Sequence, residues 1–213
     1  MKKRILSALA ITVAFCLWAK PATAQNWDIN ALQKINSLDG RFARNYSKAF
    51  SESTPYIVVG LPSCMAIAAL ITKDKELMTD AIYIGSSVIE AVAITYAAKE
   101  IIGRPRPFEK YPELITPVKK ASGHSMPSAH TAAAFSLATS LSIRYPKWYV
   151  IAPSAIWAGS VAFSRMNMGV HYPSDVITGA LVGSGCAVLN IYVNKWLEKV
   201  LFDENRKHKL LKY

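Results

Sequence analysis

The stretch Pro127-Ser-Ala-His-Thr-Ala-Ala-Ala-Phe-Ser-Leu-Ala-Thr-Ser-Leu-Ser-Ile143 decides the fold. Ser128 stands where a helix N-cap would, so the amides that follow it point outward. From Ala129 to Ile143 the run is apolar and built from small residues, which suits helices packed closely inside a membrane. Four further stretches have this character: Tyr56–Thr72, Ala81–Ala98, Tyr149–Phe163 and Val176–Val193. Each is near or slightly below the ~20 residues of a spanning helix. Gly179-Ala-Leu-Val-Gly183 adds a small-xxx-small spacing suited to close helix packing.

The expectation is an all-α, integral membrane helical bundle of about five or six spans, counting an uncleaved leader as the sixth. A soluble helical bundle would bury similar stretches, and charge placement separates the two. Hydrophobic residues are 52% of the 213 and charged residues only 18%, yet the formal net charge is +11. With the N-terminus outside, Lys73, Lys75, Arg144, Lys147 and the tail after Val193 all fall inside, as the positive-inside rule asks. That tail carries Lys195, Lys199, Arg206, Lys207, Lys209 and Lys212.

Residues 1–24 read as a secretory signal peptide, or alternatively as a signal anchor. Met1-Lys-Lys-Arg4 is basic, Ile5 to Ala19 is apolar, and Ala22-Thr-Ala24 offers a small-residue cleavage site. One domain, 25–213, follows. Export argues against nucleic acid as a partner, and nothing in the chain calls for an obligate protein partner. Cys16, Cys64 and Cys186 all lie in apolar runs, where cysteine is a small apolar filler. Between leader and first span, Ile29, Leu32, Leu38, Phe42 and Tyr46 recur at helical spacing. They predict an amphipathic helix over 28–50, on the membrane surface or packed on the domain.

Segments 99–128 and 164–175 then both face outside, and they hold most of the polar residues of interest. Lys99 and Arg106 end the second span, Pro127-Ser-Ala-His130 opens the third, and Ser164-Arg165 through His171 to Asp175 joins the fourth to the fifth. Fixed cations and a helix N-terminus form a receptor for a phosphoryl group. One histidine can attack phosphorus while the other protonates the leaving oxygen. Asp175, four residues beyond His171, can orient its imidazole. Too few acidic residues are present in these segments for a two-metal site, so no metal and no cofactor are expected.

These segments resemble the signature of the type 2 phosphatidic acid phosphatase superfamily, K-x6-RP, PSGH and SR-x5-H-x3-D. The first and third agree at every defined position; the second departs at Ala129, where the family has glycine. The resemblance implies that Lys99, Arg106, Ser128, the backbone at Ala129 and Arg165 bind the substrate phosphate. It implies His130 as general acid, His171 as the nucleophile that forms a phosphohistidine, and Asp175 as its partner. At the first turn of a helix Ala129 would be harmless, whereas at a positive φ it would be costly.

The resemblance further implies a metal-independent lipid phosphatase of the cytoplasmic (inner) membrane, its site facing the periplasm and its partner a phosphorylated membrane lipid. Lipid A 4′-phosphate is the first choice of substrate, with undecaprenyl diphosphate and phosphatidylglycerophosphate as alternatives. A vanadium-dependent haloperoxidase is the reading in another class, which the spans oppose, and transfer to an alcohol instead of water is a third.

Ser122-Gly-His124 nearly repeats Ser128-Ala-His130, but only the second copy precedes a helix. His124 is accordingly read as a loop histidine. Glu90, inside the second span, is expected to face the bundle interior in a structural hydrogen bond. Arg104 is expected to add to the phosphate field or to line the headgroup region.

Overall fold

The computed structural model describes the backbone of residues 25–210 and the side chains of 27–194. The signal-like segment 1–24 lies outside the described residues. Among the described residues every regular element is a helix: α1 (Gln25–Asn36), α2 (Arg41–Thr72), α3 (Lys75–Ile102), the short α4 (Pro107–Lys110), α5 (Ala129–Arg144), α6 (Trp148–Asn167) and α7 (Pro173–Leu210). Each of the five apolar stretches falls in its own helix. By length and hydropathy, α2, the helix beginning at Lys75 and the Pro173–Asn194 part of α7 are each able to cross a membrane.

At 16 residues, about 24 Å, α5 is the shortest of the five helices that carry the apolar stretches, and it lies at the centre of the bundle. It packs against α2, α3, α6 and α7. Its alanines make this position available: Ala132, Ala133, Ala134 and Ala138 are all buried, so neighbouring backbones can approach. Ala134 and Ala138 meet Ala158 and Val161 of α6, while Ala133 and Leu137 meet Val58, Tyr83, Ile84 and Val88 of α2 and α3. On α7, Val182 and Cys186 pack with Ala91 of α3. Large apolar side chains are exposed around the outside of the bundle, among them Ile67, Leu70 and Ile71 of α2, Ile82 and Ile89 of α3, Ile156 of α6 and Ile177 and Leu181 of α7. An apolar outer wall of this extent suits lipid rather than water.

The small-residue spacing on α7 has a specific purpose. A Cβ on Gly183 would stand 2.1 Å from the Ala132 carbonyl oxygen of α5, and one on Gly179 would stand 2.6 Å from that of Ser128. Gly185, two residues on, has nothing within 4 Å. Gly183→Ala is therefore expected to lower stability by about 1–3 kcal/mol through forced separation of the helices, overriding the propensity gain. Gly185→Ala should leave the thermal midpoint in detergent unchanged or slightly raised. Equal midpoints for the two variants would mean that the α5–α7 approach is not tight.

The predicted helix over 28–50 is corrected. Ser37 to Gly40 interrupts it, so that α1 ends at Asn36 and α2 begins at Arg41, well before the apolar run. The reason is tertiary. Asn167 donates from Nδ2 to the carbonyls of Ile35 and Leu38 (2.9 Å each), and Asn36 Nδ2 donates to the carbonyl of Asn167 (2.9 Å), satisfying backbone that the break exposes. Ile29 and Leu32 are buried against Ile115 and Tyr172, so α1 packs on the domain, whereas Leu38 and Phe42 are exposed. Glu90 also departs from expectation. It is half-buried and, among the described residues, takes part in no hydrogen bond or ion pair.

Candidate active site

The segments between α3 and α5 and between α6 and α7 meet at one end of the bundle, under α1. His171 occupies the loop after α6, and Pro173 starts α7 two residues later. Asp175, in the first turn of α7, turns its carboxylate back onto the preceding loop, where Oδ2 accepts from the Tyr172 amide (2.9 Å). This fixes the carboxylate beside His171, whose Nδ1 is 3.5 Å from Oδ2 and has no nearer partner. Both groups are buried. The other ring nitrogen, Nε2, faces Arg106 Nη1 at 3.4 Å.

Burial is the main reason that His171 is pushed down to about 3. Arg165 and Arg106 act in the same direction, and Asp175 opposes them. The imidazole is neutral near pH 7, and the tautomer with Nδ1–H toward Asp175 leaves the Nε2 lone pair available.

Ser128 precedes α5 in extended conformation, but its hydroxyl makes no cap; it accepts from Thr131 Oγ1 (3.0 Å). The Ser128 amide donates to the Asp175 carbonyl (3.0 Å), joining the starts of α5 and α7. Ala129 is the first residue of α5 and has no positive φ, so its Cβ costs nothing there. His130 follows, half-buried, within electrostatic reach of Arg165, His171, Arg106 and Lys99.

The three cations are buried and come from different elements. Lys99, in the last turn of α3, donates from Nζ to the carbonyls of His124 (2.5 Å) and Ser125 (3.1 Å). Arg106 donates to the carbonyls of Gly123 (Nε, 2.8 Å), Ser122 (Nη2, 2.8 Å) and Val170 (Nη1, 2.9 Å). Arg165, near the end of α6, reaches Ser51 Oγ of α2 through Nη1, and its Nε is buried without a partner. All eight residues singled out from the sequence thus lie at this one end of the bundle.

Three features escaped the sequence reading. The first Ser-Gly-His copy supplies carbonyl oxygens rather than side chains: those of Ser122, Gly123 and His124 hold Arg106 and Lys99. Gly123 has φ +72°, the left-handed region that glycine adopts without strain. Ser125 is buried and donates from Oγ to Asp175 Oδ2 (2.5 Å). Arg104, finally, is corrected. It neither lines a headgroup region nor joins Lys99, Arg106 and Arg165, because its guanidinium is spent on carboxylates: Asp175 Oδ1 (2.5 Å) and Asp28 Oδ2 (2.8 Å). Its place next to Arg106 in Gly-Arg-Pro-Arg-Pro was the signal that it matters, though not of how.

The chain is similar to an undecaprenyl-diphosphatase of Sulfolobus acidocaldarius, with 30% identity over 60% of this chain and 61% of the relative. It is also similar to a lipid A 4′-phosphatase of Bacteroides thetaiotaomicron, with 25% identity over 73% of this chain and 72% of the relative. The alignments thus leave about two fifths and about three tenths of those relatives unmatched. The fold is that of the transmembrane PAP2-type phosphatidylglycerolphosphate phosphatase from Bacillus subtilis, with a TM-score of 0.69, 18% identity, and 90% of this chain and 96% of that one covered. Over residues 80–199, more than half of its length, the chain matches the PAP2 superfamily, and it belongs to that superfamily.

Proposed function

We propose that this protein is a metal-independent lipid phosphatase that works through a phosphohistidine on His171. The observation that carries this reading is the meeting of His171, His130 and three buried cations at one end of an apolar bundle. Lys99, Arg106 and Arg165 neutralise the phosphate dianion, and amides at the start of α5, from Ala129 on, add donors. Arg165 Nε, buried and without a partner, is a donor ready for a phosphoryl oxygen.

His171 Nε2 attacks phosphorus, forming a P–N bond as the P–O bond to the lipid breaks. His130, which takes up a proton as the phosphate dianion binds beside it, gives that proton to the departing oxygen. Asp175 stabilises the imidazolium that attack creates at His171. Water then attacks the phosphohistidine, His130 takes its proton, and the P–N bond breaks to release phosphate.

The substrate proposed is lipid A 4′-phosphate. Support comes from the Bacteroides relative of that name, whose similarity runs over 73% of this chain, well beyond the motifs. Undecaprenyl diphosphate is the alternative, supported by the Sulfolobus relative. The charge pattern of the connecting segments supports an inner-membrane protein with its site toward the periplasm.

Phosphate release by the protein in detergent is expected to survive EDTA and to be inhibited by vanadate. Loss on chelation, restored by a divalent ion, would remove the metal-free mechanism. Mass spectrometry of membrane lipids with and without the gene identifies the substrate: the 4′-phosphorylated form of lipid A should accumulate without it. Accumulation of undecaprenyl diphosphate instead would select the alternative.

A further inference from the structure

We infer that Asp28, on α1, is a positioning residue for Asp175: through the shared guanidinium of Arg104 it fixes that carboxylate and keeps the group behind His171 net negative. The inference rests on His171 being the nucleophile. It concerns a residue outside the segment that matches the superfamily, which begins at residue 80.

Geometry carries the argument. Asp28 is 1% exposed although it lies on a helix at the end of the bundle. Its Oδ1 accepts from the Ser174 amide (2.9 Å), an otherwise orphan donor in the first turn of α7. Its Oδ2 accepts from the Ser174 hydroxyl and from Arg104 Nη2 (2.8 Å). Arg104 Nη1 in turn donates to Ser174 Oγ (2.7 Å) and Asp175 Oδ1 (2.5 Å), and the guanidinium lies 3.8 Å over the Tyr172 ring. Oδ1 of Asp175 is thus taken by Arg104, and Oδ2 by Ser125 and the Tyr172 amide, on the side where His171 stands. The carboxylate plane has no freedom left.

Charge explains why two aspartates are present. Asp175 must stabilise the imidazolium formed when His171 attacks, but Arg104 at 2.5 Å would cancel its charge. Asp28 supplies a second negative charge to the same guanidinium, so the group Asp28–Arg104–Asp175 sums to −1 and the charge of Asp175 is returned to His171. Arg106 and Arg165 of α6 also act on His171, as does His130 of α5, with Lys99 beside it. None of these is an anion.

The test pairs Asp28→Asn, which is isosteric but leaves the group neutral, with Asp28→Asn/Arg104→Gln, which returns it to −1. In the full chain in detergent, phosphoenzyme formation in Asp28→Asn should slow about ten- to a hundred-fold, as expected for one missing buried charge. KM should stay within about threefold, since only the transition state loses stabilisation. The double variant should be about tenfold faster than Asp28→Asn, because charge and not contact is restored. A role confined to holding α1 in place predicts the reverse, a double variant as slow as the single or slower, and that result overturns the proposal.

A second readout needs no turnover. Nitrogen-15 histidine spectra near pH 7, with the His171 signal assigned by its loss in His171→Gln, should show the Nδ1–H tautomer in the wild type. Asp28→Asn should give a mixture, and the double variant should return to Nδ1–H. An unchanged tautomer in Asp28→Asn overturns the proposal. A wild type without phosphatase activity would instead remove the phosphatase reading.

Discussion

His171→Ala is expected to abolish turnover and to leave no phosphoprotein when a reaction is quenched in alkaline detergent, conditions under which a phosphohistidine survives. The wild type should show that adduct within one turnover. The expectation follows from where the two ring nitrogens stand. Nδ1 is 3.5 Å from Asp175 Oδ2, while Nε2 faces Arg106, so in the Nδ1–H tautomer the lone pair is on the side of the cations proposed to bind phosphate. Burial and the two arginines hold the ring at about 3, so no proton blocks the lone pair at neutral pH. Lowering the pH from 7 to 5 should therefore not protonate His171 in the folded enzyme, and an acid limb in that range would belong to another group. The loss should be of the order of 10⁴–10⁶-fold, because a nucleophile acts as one unit with its base and orienting carboxylate. A phosphoprotein that persists in His171→Ala would place the nucleophile elsewhere, with His130 the first candidate.

Much of this site could be read from the chain because its information is local. His171 and Asp175 stand four apart with Pro173 between them, so a helix starting at the proline places the carboxylate beside the ring. Ser128 before an alanine-rich run announces a helix start, and Lys99 and Arg106 follow from their place at the end of a span. What escaped was carried by groups without a sequence signal. The carbonyls of Ser122, Gly123 and His124 hold two cations, yet every residue has a carbonyl. Asp28 meets Ser174 across 146 positions, and one acidic residue on an amphipathic helix reads as part of a solvated face. The helix predicted over 28–50 failed for a similar reason. Its apolar spacing continues through Gly40, but the break is stabilised by Asn167, more than a hundred residues away. Fold class, by contrast, rested on stretch length and residue size, which each segment shows on its own.

The two near-identical words, Ser122-Gly-His124 and Ser128-Ala-His130, should respond very unequally to mutation at their histidines. His130→Ala is expected to slow turnover by about 10²–10⁴-fold, the usual value of a positioned proton donor. The imidazole rides on the first turn of α5, and that turn is immobilised by the Ser128 amide on Asp175 and by Gly179 and Gly183 packed against it. It stands within electrostatic reach of Arg165, Arg106, Lys99 and His171, as the proposed donor to a leaving oxygen must. His124→Ala should cost only a few-fold at most, because what His124 gives the site is its carbonyl, which accepts from Lys99 and is kept in alanine. The informative change in the first word is Gly123, whose φ of +72° places its carbonyl on Arg106. Substrates with a good leaving group such as nitrophenolate need no proton donor, so with them His130→Ala should form the phosphoenzyme at most of the wild-type rate, while its hydrolysis, where His130 takes the proton of water, stays slow. Equal losses at His130 and His124 would mean that the acid was assigned to the wrong word, and no recovery of phosphoenzyme formation with the activated ester would mean that His130 is not the proton donor.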